Sequence, residues 1–236
     1  MKRLILDYLV IAVIALSAAL TSCDKNDDAP ATSIVNNNIS VTVSDVDAEV
    51  ENVKLLTDCT IDVDWVWDEE NRKIVGTTTS VTGEEIARGV FSGGRLTMNL
   101  PETVENRYLK PMYDNMEVPD GVLMSNHNVK GTGGVFLVGY DKDNKETGLF
   151  FYGKFDEDAE QIIMAALVYV DNDVIITGSY SNNDDMIKTT VSYDCNLKKG
   201  WNFMYVLLSG DGEGRLTGRT TTENPGGLKW VYGKLN

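Results

Sequence analysis

Cys59-Thr60-Ile61-Asp62-Val63-Asp64-Trp65-Val66-Trp67-Asp68 is the stretch that decides the fold. Cys59, Ile61, Val63, Trp65 and Trp67 alternate with Thr60, Asp62, Asp64, Val66 and Asp68. Successive side chains of a strand point to opposite faces, so this period of two predicts a β-strand. One face meets a core and the other, acidic, meets water, which is the habit of antiparallel sheets. Glu69-Glu70-Asn71 predicts a turn, with a return strand from Ile74 onward.

The same signal spreads outward from that strand. Ile39, Val41 and Val43 alternate with Ser40 and Thr42, and Leu96, Met98 and Leu100 with Arg95, Thr97 and Asn99. Ser92-Gly93-Gly94 suits a tight turn, and Pro101 ends the strand after it because proline cannot donate to a ladder. Glu105 to Lys110 predicts a helical turn before Pro111. Asp/Asn/Gly clusters then separate paired apolar runs, the hairpin signature. The predicted hairpins are Val135–Tyr140 with Leu149–Phe155, Val168–Val170 with Val174–Tyr180, and Trp201–Ser209 with Arg215–Thr222. Val191, Tyr193, Cys195 and Leu197 form one inward face. Trp201–Leu208 is apolar on both faces, which predicts a central strand. Ala159, Ile162, Ile163, Ala166 and Leu167 also fit helical spacing, with Asp158 and Gln161 placed to cap it. The run into Tyr169-Val170 and a tight turn favours strand from Ile163. The fold class expected is all-β, an antiparallel sandwich or barrel, as one domain or as two small β domains over residues 39–118 and 119–236.

The N-terminus reads as an address. Lys2 and Arg3 precede an apolar run, Tyr8–Leu20, that is shorter than the ~20 residues a membrane-crossing helix needs. Leu20-Thr21-Ser22-Cys23 ends it and resembles the lipobox of bacterial lipoproteins. The resemblance implies cleavage after Ser22, a diacylglycerol thioether on Cys23, and acylation of the new amine, as by palmitate. Each buried methylene contributes about 0.8 kcal/mol, so two or more chains anchor stably. Residues 1–22 are then a signal peptide and 23–38 a tether reaching ~20 Å. Asp24-Lys25-Asn26-Asp27-Asp28 resembles the acidic export tag of surface lipoproteins in Bacteroidetes.

The formal net charge is −15, and losing Lys2, Arg3 and Asp7 makes the remainder one unit more acidic. Nucleic acid needs a cationic footprint, so that partner is disfavoured. Cys59 and Cys195 remain after lipidation; a disulfide and two buried thiols are both open in an oxidising compartment.

Catalytic signatures are sparse. His127, the one histidine, sits in Asn126-His127-Asn128 with no partner expected to orient it as a base. Asp62 and Asp64 share a wet strand face at a spacing glycosidase carboxylates could use, although no cleft is implied. Asp141, Asp143 and Glu146 are the metal candidates, but the calcium-loop spacing is absent and Lys142 and Lys145 intrude, so a solvated turn is expected. No cofactor is called for. Trp230, Tyr232, Tyr113 and Tyr180 are the candidate exposed aromatics for a ligand, with Trp230 and Tyr232 on one face of a terminal strand, where core or edge packing is the default.

Several stretches together resemble small lipoproteins of unknown function from gut Bacteroidetes. They are the Gly-Gly turn leading to Leu100-Pro101, the Gly148 hairpin with Phe150 and Tyr152, and Leu197-Lys198-Lys199-Gly200-Trp201-Asn202. The first half also resembles transthyretin-like β-sandwich modules. These resemblances imply a non-catalytic outer-membrane lipoprotein at the cell surface, the periplasmic face being the other location, with a glycan or a protein as partner. A glycan-binding accessory of polysaccharide uptake and a pilus-type subunit are the alternatives.

Overall fold

The computed structural model describes residues 37–46, 49–68, 73–112, 118–156, 161–183, 188–210 and 215–235, with backbone alone at 63–68, 73–77, 155–156 and 183. The predicted signal peptide and Cys23 lie outside the described residues, as does all but the end of the tether. The strands in chain order are β1 (Asn38–Thr42), β2 (Asn52–Asp68), β3 (Lys73–Ser92), β4 (Arg95–Asn99), β5 (Lys110–Pro111), β6 (Val122–Met124), β7 (Lys130–Gly131) and β8 (Phe136–Tyr140). They continue as β9 (Glu146–Asp156), β10 (Gln161–Val170), β11 (Val174–Asn183), β12 (Lys188–Leu197), β13 (Gly200–Gly210), β14 (Arg215–Thr221) and β15 (Lys229–Lys234). One 3-10 turn, Asn106–Tyr108, stands where a helical turn is predicted. The fold is all-β, a large mixed sheet in which β12 and β14 pair in parallel.

Two compact units divide the chain. One gathers the residues up to Leu100, Gly134–Phe151 and Trp230 onward; the other gathers Pro101–Gly133 and Tyr152–Lys229. The boundary expected at 118/119 therefore falls inside the second unit. The physical reason is that distant segments complete each core: β8 and β15 return to the unit that holds β1–β4.

In the first unit the ladder order is β1-β4-β3-β2-β8-β9, with β15 on β9. The Gly93-Gly94 turn has both residues at positive φ and joins Ser92 to Arg95, the two-residue hairpin that right-handed strand twist favours. The long β2–β3 hairpin is interrupted by register shifts at Leu55/Leu56, Thr57/Thr60 and Asp62/Val63. Asp58 takes positive φ at the second of these. Alternation is consequently lost locally: Leu55, Leu56 and Thr57 are all buried in succession. Leu56, Val81, Val138, Tyr140 and Leu149 form a core cluster, with Ile61 and Cys59 packed against it.

In the second unit the order is β9-β10-β13-β14-β12-β11-β6. The segment with helical spacing is strand β10. Strand β13 is central, as predicted, flanked by β10 and β14. Its faces are not both closed: Tyr205 and Leu208, on opposite faces, are buried, while Trp201, Phe203, Met204 and Leu207 are half-buried.

The hairpin predicted from Val168–Val170 and Val174–Tyr180 does not form. Strand β10 pairs with β9, β13 and β7, whereas β11 pairs with β12 and β6. Asp171-Asn172-Asp173 instead joins two strands that do not pair with each other. Val168 and Val170 of β10 pack face to face with Val174 and Ile176 of β11 and Cys195 and Leu197 of β12, in one core cluster.

Candidate functional site

Two of the four candidate aromatics for a ligand are buried. Trp230 and Tyr232 share one face of β15, as their spacing predicts, but both are buried. The Tyr232 ring lies 5.0 Å from Phe150 at 55°, and Gly148 approaches it so closely that a Cβ there would fall 2.4 Å from a ring carbon. These two residues pack in the core, the default for that face, and do not present an exposed ligand surface. Tyr180 is half-buried against the core of the second unit. Tyr113 lies outside the described residues.

The acidic candidates are engaged in local structure. One Asp141 carboxylate oxygen accepts hydrogen bonds from the N–H groups of Asp143 and Lys145, each at 2.9 Å. Asn144 takes positive φ beside it, so Asp141 organises a turn, as side chains of its type do. Glu146 accepts from the Val81 N–H at 3.0 Å, well apart in role from that turn. Asp141, Asp143 and Glu146 do not converge as ligands. Among the described residues no group of three His, Cys, Asp or Glu is placed to hold a metal ion. Asp62 accepts from the Ser80 hydroxyl at 2.7 Å; the Asp64 side chain lies outside the description. His127 is exposed on a turn braced by Asn126, whose side chain accepts from the Asn128 N–H at 3.1 Å.

Cys59 and Cys195 are free thiols. Burial, then the neighbouring Asp58 charge, pushes the Cys59 thiol up to about 12. Burial pushes Cys195 up to about 11. Both stay protonated near neutrality, and the thiolate is the reactive form. Tyr140 is likewise pushed to about 12, by burial first and then by the Glu146 charge. Its ring carries the Lys54 ammonium at 3.8 Å, a cation–π contact.

One arrangement in the second unit gathers polar chemistry from segments far apart in sequence. Val170, the last residue of β10, pairs with Gly131 on one side and Gly200 on the other. Asp171 follows opposite Lys130, and Lys199 stands just before Gly200, whose φ is positive. Asp171 donates its N–H to the Lys130 carbonyl at 3.0 Å, and its carboxylate accepts from the Lys130 N–H at 2.9 Å. Asp173 accepts from the Lys199 N–H at 2.8 Å and from the Lys198 ammonium at 3.2 Å. These two bonds hold the Asp173 carboxyl below its ordinary value, the Lys199 N–H contributing most. Asn202 completes the brace, accepting from the Lys198 N–H at 2.9 Å and donating to the Lys198 carbonyl at 2.7 Å. Lys130, Lys198 and Lys199 are exposed.

Aromatic residues follow along β10 and β13. Tyr169 pairs with Trp201, their rings 5.4 Å apart and edge to face. Trp201 is half-buried, and its indole N–H donates to the Pro101 carbonyl at 2.9 Å. Phe203 follows, half-buried, at 5.9 Å from Tyr152. In the sequence Trp201 belongs to the run that predicts a central strand, and nothing there ties the lysines to Asp173. The signal that could have found them is Lys198-Lys199 directly before Gly200-Trp201, in a strongly acidic chain. Comparison of the chain with protein-family models, with curated proteins and with solved structures found no match.

Proposed function

We propose that this chain is a non-catalytic lipoprotein of the bacterial outer membrane, anchored through Cys23 and displayed at the cell surface, where it works as a binding module. The observation that carries the reading is the sequence Leu20-Thr21-Ser22-Cys23 closing a short apolar run behind Lys2 and Arg3. A binding rather than a catalytic role is supported by how the reactive side chains are used. The thiols of Cys59 and Cys195 and the Tyr140 phenol are held protonated by burial. The carboxylates of Asp62, Asp141 and Glu146 accept bonds that fix strands and turns. An all-β scaffold carrying half-buried aromatics beside exposed lysines suits recognition.

The test is metabolic labelling with an alkyne analogue of palmitate, followed by protease treatment of intact cells. The wild-type chain is expected to carry label, partition with outer membrane and be degraded from outside. Cys23→Ala should lose the label and leave the membrane fraction. Label that persists in Cys23→Ala, or an unlabelled soluble wild type, contradicts the anchor. Labelled protein that resists external protease contradicts surface display.

A further inference from the structure

We infer that the inner face of the second unit, along β10 and β13, is a binding site for a short unbranched aliphatic chain with an uncharged head group. The inference rests on the proposed role as a binding module and names the class of ligand.

The ladder of this unit has to bend. Strands β10 and β11 stand four strand spacings apart in the order β10-β13-β14-β12-β11, ~19 Å on a flat sheet. Only Asp171-Asn172-Asp173 joins Val170 to Val174, a link that reaches ~14 Å at full stretch. The registers put Val168 and Val170 on the same face as Cys195, Leu197, Val174 and Ile176. Those residues share one core cluster, so this face is the inside of the bend.

Further along the same face the packing opens. Ala166 pairs with Met204 and Met164 with Val206, and all four are half-buried. Val206 pairs with Thr220 and Thr220 with Tyr193, which is half-buried too. Beyond them the face closes again: a Cβ on Gly218 would lie 3.3 Å from the side chains of both Leu208 and Val191, which are buried. The half-covered strip is therefore bounded by packed side chains at both ends. Ala166 contributes only a methyl group to it, which leaves room between Met164 and Met204.

The chemistry of the strip selects its occupant. Among the described residues this inner face carries no charged side chain, although the chain as a whole has a net charge of −15. An ionic or sugar ligand would lose hydration there without compensation. A peptide would bring in backbone N–H and C=O groups that need partners, and β10, β13, β14 and β12 are each already paired on both sides. A helix is ~10–12 Å across, against the ~10 Å that separates packed sheet faces. An aliphatic chain is slim and has no polar group to satisfy, and the flexible methionines can close round it.

The experiment is equilibrium dialysis of the purified full chain against radiolabelled n-hexanol, n-heptanol and n-octanol. Saturable binding is expected, tightening about fourfold per added methylene and unchanged between ~50 and ~200 mM salt. Ala166→Phe, which fills the strip, should weaken octanol binding at least about tenfold, the scale of a lost apolar contact. Val206→Thr adds a hydroxyl at nearly constant shape and should weaken it several-fold; it decides alone if Ala166→Phe does not fold. Ile175→Thr makes the matching change at an exposed residue on the outer face and should leave affinity within about twofold. No saturable binding, affinity independent of chain length, or equal loss in Ile175→Thr and Val206→Thr each overturns the inference. Octanol binding by Cys23→Ala but not by the lipidated wild type also overturns it, in favour of the protein's own acyl chain as occupant. A chain that labels at Cys23 and is cleaved from outside, yet binds no alkanol, loses this inference alone; a chain without label loses the anchoring proposal whatever it binds.

Discussion

Asp173 shows how one exposed carboxylate can set a surface. It tethers the Lys199 N–H and the Lys198 ammonium, and those bonds favour its charged form. An aspartate whose folded value is lowered stabilises its surroundings fully above the ordinary value of ~3.9, and that contribution fades as pH falls through the lowered value. Hydrogen exchange at the Lys199 amide should therefore be slow at pH 6 relative to its intrinsic rate, and protection should decline in acid. Asp173→Ala should remove that protection at every pH while leaving the buried amides of β13 unchanged. An unaltered Lys199 amide in that variant would show that the brace is not what orders the turn. None of this is legible in sequence, where Asp171-Asn172-Asp173 looks like an ordinary solvated turn. The carboxylate's partner lies twenty-six positions away, and spacing carries no record of such a pairing.

Among the elements, local pattern was a sound guide to strands and a poor one to partners. The Gly93-Gly94 hairpin, the stop at Pro101 and the central place of β13 all follow from side-chain chemistry that acts within a few residues. The β10–β11 hairpin did not form because turn composition cannot tell a hairpin from a link between strands that do not pair; both need the same short polar link. Trp230 and Tyr232 alternate as a strand face should, but what covers that face is Phe150 and Gly148 of β9. Gly148 matters because β15 closes over it. A Cβ at that position would meet the Tyr232 ring and the Gly233 carbonyl oxygen, each at 2.4 Å. Gly148→Ala should destabilise the fold by about 1–3 kcal/mol through overpacking, read as a lower denaturation midpoint with an unchanged slope. An unaffected midpoint would mean that β15 is free to shift.

For the whole molecule, composition and order along the chain tell different things. The N-terminal address, the acidic charge and the all-β class are properties of stretches, and a reader of the sequence meets them directly. The lysine row is a property of topology. Lys130 opens β7, Asp171 follows β10 and Lys199 precedes β13, and the pairing of Val170 with Gly131 and Gly200 brings these segments together. The division into two units has the same origin, since β8 and β15 leave their sequence neighbours to complete an earlier core. The central claim is that this topology, through Asp171 and Asp173, ties Lys130 and the Lys198-Lys199 turn to the end of β10, and its most direct measurement is amide hydrogen exchange in Asp171→Ala with Asp173→Ala against the wild type. The account predicts faster exchange at the Lys130 and Lys199 amides, with the buried amides of β13 unchanged. Unaltered exchange at both lysine amides, or loss of protection throughout β13, would contradict it.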